Sequence, residues 1–176
     1  MKFLILLFLL TQMALAQDFK QEAPKVAESL KKNLMGNLQR ELKENGTLKA
    51  IDFCHTEVTK LGSKTNQEFK GKYQFGRTSH KIRNSKNEPQ DWILPYLEKF
   101  QNKKQTDEGT ASFYHKTKQG ELIYVEPLWT APMCLQCHGD NISKNVKTEL
   151  LKRYPTDKAQ NFKVGDFRGF IWVKEK

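Results

Sequence analysis

The tightest constraint on this chain is one short stretch, Met133-Cys134-Leu135-Gln136-Cys137-His138-Gly139. Two thiols stand one helical turn apart, and an imidazole follows the second directly. Cys-x-x-Cys-His is the attachment signature of a c-type haem. The thiols bond the two vinyl groups of one porphyrin, and the histidine is held beneath the ring to ligate the iron. The match is informative because the chain has only three cysteines and four histidines. A zinc ribbon would need a second Cys or His pair at ligand spacing, and the sequence has none. A thioredoxin-like pair would sit near a βαβ pattern, which is also missing. The expectation is one covalent haem c, attached through Cys134 and Cys137, with His138 on the iron.

The N-terminus agrees with that chemistry. Met1-Lys2 is a short positive start, Phe3 to Leu10 is continuously apolar, and Ala14-Leu15-Ala16 offers a cleavage site before Gln17. The apolar run is too short for a membrane-spanning helix. Residues 1–16 are therefore expected to be a cleaved signal peptide and residues 17–176 a single domain exported to the periplasm. Membrane contact would come only through the signal. Formal charge is +10. The lysines are scattered, and no compact stripe suits nucleic acid. A basic surface suits docking to an acidic redox or signalling partner.

Residues 18–45 read as a long helix, with Val26, Leu30, Leu34, Leu38 and Leu42 recurring every four residues. Asn45-Gly46 ends it, and Thr47 can cap a second helix that runs to about Leu61 with Gly62 as its stop. On that second helix Ala50, Ile51, Val58 and Leu61 share a face. Cys54 falls about 40° from Ala50, near the centre of the face, and His55 about 140°, at its edge. The third cysteine should therefore point inward. It is either a small buried hydrophobe or the second axial ligand of the iron.

Downstream, residues 72–78 alternate as a short strand, and residues 79–90 form a polar loop containing His80, Arg83 and Pro89. Pro89 suits the first position of a short helix carrying Trp92, Ile93, Tyr96, Leu97 and Phe100, disturbed at Pro95. Gly71 to Thr78 resembles a phosphate loop, but Arg77 stands where the essential lysine belongs, so that reading is discarded. Residues 110–117 and 121–130 form a hairpin around Lys118-Gln119-Gly120. Residues 145–153 form a helix that Tyr154-Pro155 ends, and Gly165-Asp166 turns into a last strand at 167–173. The order is that of an α+β domain with a small antiparallel sheet.

Several of these pieces together resemble a known family. They are Ala50-Ile51 with Cys54, Gly76-Arg77-Thr78-Ser79 followed by Arg83-Asn84, Trp92, and Tyr124 and Pro127 before the haem motif. Tyr154-Pro155 and Gly165-Asp166-x-Arg168-Gly169 complete the set. In this order they resemble the exported c-type haem domains with a PAS-like fold, the Tll-like haem domain family, over nearly all of the mature chain. The resemblance implies a PAS-like antiparallel sheet with long N-terminal helices. It also implies a helix cysteine, here Cys54, as the iron ligand opposite His138. His55, next in sequence, could offer imidazole instead, and Met133 is a weaker rival. The segment from Arg77 to Arg83 resembles the family's basic loop, and both arginines are candidates to meet the haem propionates.

A thiolate ligand would stabilise ferric iron and lower the reduction potential. The expected function is a redox- or gas-responsive sensor module, not an enzyme. The alternatives are a low-potential electron-transfer cytochrome and, third, a peroxidase-like enzyme using His55 or His80 as acid–base group.

Overall fold

The computed structural model describes the backbone of residues 2–56 and 58–176 and the side chains of residues 17–56 and 62–176. The expected leader, residues 1–16, lies outside the described side chains, as do Val58 and Leu61. Among the described residues, no helix is long and apolar enough to cross a membrane.

Helix α1 spans Lys2–Thr56 and is broken at Gly46, whose backbone leaves helical space at φ 76°, ψ 174°. Glycine alone reaches that region cheaply, so the chain changes direction where Asn45-Gly46 predicts. Before the break, Phe19, Ala23, Val26, Ala27, Leu30 and Leu34 are buried. They form one stripe against Tyr73, Tyr124, Ile171 and Val173 of the sheet. Pro24 lies inside this helix, a breaker that the heptad-like pattern hides. Its ring cannot donate to the Lys20 carbonyl four residues back. The Tyr114 hydroxyl donates to that carbonyl instead, at 2.8 Å.

Helix α2, Val58–Glu68, runs through Gly62, so the predicted stop there is wrong. A glycine inside a helix costs about 1 kcal/mol, and packing offsets it: Gly62 faces the Phe75 ring and Thr65 is buried.

Four antiparallel strands follow: β1 Tyr73–Thr78, β2 Phe113–Lys116, β3 Leu122–Trp129 and β4 Phe167–Glu175. Their order is β1-β4-β3-β2. Helix α1 covers one face of this sheet. Helix α3, Leu94–Phe100, covers the other through Ile93, Leu97 and Phe100 against Ile123, Val125, Phe167 and Phe170. Two covered faces explain why β4 is apolar on both sides. Pro95 does not disturb α3. It sits in the first turn, where no N–H is required, and Pro89 lies ahead of the helix rather than opening it. Helix α4, Leu135–His138, and helix α5, Lys144–Arg153, complete an α+β architecture.

One irregularity matters for the site. Leu128 pairs with Gly169 and Trp129 with Phe167, so Arg168 is left out of the ladder. A bulge of this kind re-aims the extra side chain.

Candidate functional site

The Cys-x-x-Cys-His segment is a 3-10 turn, Pro132–Cys134, leading into α4. Residues 157–162 run alongside and hold it. Phe162 N–H donates to His138 O at 2.9 Å and Asn161 N–H to Gly139 O at 3.0 Å. Arg83 ties the two segments together. Its Nη2 donates to the Cys137 carbonyl at 2.5 Å and to the Ala159 carbonyl at 3.1 Å. Its Nε donates to Asp157 Oδ2 at 3.1 Å. The Asp157 side chain is completely buried, so this is an internal ion pair. The structure thus gives Arg83 a task as a clamp on the motif's backbone.

His138 is held in one tautomer. Its Nδ1 lies 2.7 Å from the Ala159 carbonyl, an acceptor only, so Nδ1 carries the proton. The other nitrogen, Nε2, keeps an unprotonated lone pair, met by Arg168 Nη2 at 3.5 Å. Burial, reinforced by Arg168, Arg83 and Arg77, pushes the His138 pKa well down despite the Ala159 bond. The ring is neutral, the form that binds metals.

The second half of the site comes from α1 beyond Gly46. Thr47 Oγ1 donates to Gln136 Oε1 inside the motif at 2.7 Å. Asp52 pairs with Arg153 of α5, and Ile51 packs with Val146, Leu150 and Tyr154. Cys54 then lines a cleft with Leu34, Met35, Leu38, Phe53, Arg77 and Leu128. The helical wheel predicts Cys54 inside the core. In fact Ala50 and Ile51 fill the core and Cys54 is exposed, because the cleft it borders opens to solvent. The wall around it is still close enough that desolvation raises its thiol pKa, against the pull of Arg77, Arg83 and Arg168. Burial also pushes the Cys137 thiol up to about 11, with Cys54 and Cys134 adding to the rise. The three cysteines therefore share one electrostatic environment. His55 does not face the cleft lining. Its ring meets Tyr154 edge-on at 5.3 Å. Met133 is half-buried beside Cys134.

Two more arginines reach this region. Arg77, on β1, lines the cleft, and burial lowers its pKa. Among the described residues its guanidinium has no hydrogen-bond or carboxylate partner, while its backbone pairs with Ile171 in the sheet. Arg168, displaced by the bulge, donates from Nη1 to Ser79 Oγ at 3.2 Å and brings Nη2 to 3.5 Å from His138 Nε2. Its pKa is lowered to about 10, by burial first and then by Arg83 and Arg77. Sequence reasoning noticed Arg168 only as part of a pattern, because a bulge has no local signature. Among the described residues, no group of three or more His, Cys, Asp or Glu could hold a bare metal ion.

His80 stands behind this wall. Its ring stacks on Phe167 at 5.7 Å, and its buried Nδ1 has no partner among the described residues. Burial, with Lys81 and Arg168 adding, lowers its pKa to about 4. The unfolded chain binds a proton near pH 6.5 that the folded chain refuses, so stability falls as pH drops from about 6.5 toward 4. After discounting for partial exposure, the His80 share is on the order of 1–2 kcal/mol. His80→Gln should flatten the stability curve by that amount between pH 7 and pH 4.5 in urea titrations. An unchanged slope would remove His80 as its source.

Comparison with known proteins gives the same architecture. No curated protein sequence matches. A crystal structure of the cyanobacterial heme protein Tll0287 aligns with a TM-score of 0.66 and 23% identity. The alignment covers 90% of this chain and 94% of that one, a likeness of fold. The model of the Tll0287-like family matches residues 9–175, which is nearly the whole sequence, and the chain belongs to that family.

Proposed function

We propose that the chain is an exported, PAS-like module that binds one haem c between the Cys134–His138 segment and the Cys54 cleft and responds to its redox or ligand state. The observation that carries the reading is the fixed tautomer of His138, with Nδ1 committed to the Ala159 carbonyl and the unprotonated Nε2 facing a movable donor, Arg168 Nη2, at 3.5 Å. The donor set fits the group. Cys134 and Cys137 suit thioether attachment, and Leu34, Met35, Leu38 and Phe53 suit a flat apolar ring. Arg77, with no carboxylate partner among the described residues, suits a propionate. Family membership and the solved heme-protein neighbour support the same cofactor. The haem supplies an iron whose charge and open coordination change with reduction.

The protein's part is to hold the two sides differently. His138 is fixed by α4, residues 157–162 and Arg83. Cys54 rides on the α1 segment beyond the Gly46 break. Its raised pKa means the thiol takes up a proton readily whenever it is not ligated. Gain and loss of Cys54 ligation would move that segment, including its Thr47–Gln136 and Asp52–Arg153 contacts, and so report the state of the site to a partner. A low-potential electron carrier instead requires both ligands to stay in place through the cycle.

Absorption spectra of the ferric and ferrous protein, with and without carbon monoxide, decide between them. Haem should resist acid–acetone extraction in the native protein and be extracted from Cys134→Ser/Cys137→Ser. Cys54→Ala should shift the ferric spectrum; an identical spectrum would take Cys54 off the iron. Carbon monoxide binding to the ferrous protein favours the sensor, and refusal favours electron transfer.

A further inference from the structure

The sheet face opposite the cleft carries a second redox-competent arrangement. Tyr96 on α3 and His115 on edge strand β2 meet through Tyr96 Oη and His115 Nδ1 at 3.0 Å. The Trp92 ring stacks on His115 at 5.1 Å with planes 24° apart, and Gln90 holds the indole N–H at 2.7 Å. Tyr96 itself packs on Phe113 at 4.5 Å. Tyr96, His115 and Trp92 are all half-buried, so oxidants reach the ring edges while neighbouring rings shelter the Tyr96–His115 bond.

We propose that Tyr96 and His115 form a proton-coupled redox site that quenches diffusible one-electron oxidants. The phenol gives one electron to the oxidant, which is reduced by one. Its O–H bond breaks, and the proton passes along the existing hydrogen bond to His115 Nδ1. The products are a neutral tyrosyl radical, an imidazolium and the reduced oxidant. The Trp92 face stabilises the new imidazolium charge. Removing an electron from a phenol without moving its proton would leave a strongly acidic radical cation, so a base already in place lowers the barrier.

The other tyrosines with bonded hydroxyls lack this base. Tyr114 donates to the Lys20 carbonyl. Tyr73 and Tyr124 donate to Glu22 and Glu126, and a carboxylate holds a proton less firmly than imidazole. The pair is also connected inward. From Phe113, ring contacts run through Phe100 at 6.2 Å and Phe167 at 5.4 Å. They continue to His80 at 5.7 Å, Phe162 at 5.8 Å and His138 at 6.2 Å. The site does not depend on what His138 binds.

The test is flash oxidation of the full-length protein by photogenerated ruthenium(III) tris-bipyridine, followed by optical and paramagnetic resonance detection of tyrosyl radical. The native protein should form the radical rapidly, with a rate lowered in heavy water. Tyr96→Phe should remove most of the signal. His115→Gln keeps a hydrogen-bond acceptor but cannot hold the proton. It should slow radical formation on the order of 100-fold and abolish the heavy-water effect. Circular dichroism confirms that both variants fold. An undiminished radical yield in Tyr96→Phe, or an unchanged rate in His115→Gln, overturns the proposal.

Discussion

Arg83→Ala is expected to destabilise the domain by about 3–5 kcal/mol, the usual cost of breaking a buried ion pair from one side. The substitution strands the Asp157 carboxylate, whose side chain is completely buried. Among the described residues, the Ala159 N–H at 2.8 Å and the Gln160 amide at 3.4 Å remain as its partners. It also releases the carbonyls of Cys137 and Ala159, the second of which fixes the His138 tautomer. For a domain of this size the loss corresponds to a melting temperature lower by about 10 °C. Thermal unfolding of the native protein, Arg83→Ala, Asp157→Asn and the double variant measures the coupling. A double variant as unstable as the two single losses added together would mean that the pair is not coupled. A surface propionate contact alone predicts a small effect on stability, so the same measurement separates the clamp from the role first expected of Arg83.

Gly169→Ala is expected to cost about 2–5 kcal/mol. Gly169 has φ 149°, a region an L side chain rarely adopts. A Cβ there would lie 2.2 Å from the Thr78 carbonyl oxygen and 3.1 Å from Ser79 Cβ. Backbone atoms of two paired strands cannot yield as a flexible side chain would. The strain falls where the bulge turns Arg168 toward His138 and where Ser79 Oγ donates to the Arg168 carbonyl at 2.7 Å. Denaturant titration reads the stability. A loss below about 1 kcal/mol would show that β1 and β4 can separate here without cost.

The two substitutions mark different degrees of legibility. Element order was readable because it rests on local periodicity and local breakers. The stripe from Val26 to Leu34, Gly46, the hairpin around Gly120 and the end at Tyr154-Pro155 all stand where the sequence puts them, while Leu38 and Leu42, further along the same stripe, are only half-buried. Gly62 and Pro95 were misread because burial against Phe75 and placement in a first turn outweighed their intrinsic preferences. Pro24 was invisible because the group that compensates it, the Tyr114 hydroxyl, lies 94 positions down the chain from Lys20.

The site divides in the same way. Cys134, Cys137 and His138 are specified by spacing alone, since three chemical groups within five residues must come together in any fold. The sequence by itself determined that these three groups stand together and which helix carries Cys54. Only the tertiary structure decided that Cys54 leaves the core for the cleft while His55 turns to Tyr154. It also decided that Arg83 braces the motif's backbone, and that a bulge at Arg168 brings a third arginine to the histidine. Those outcomes depend on how a kinked helix, a sheet edge and a loop meet, and contacts between distant segments leave no periodic trace in the segments themselves.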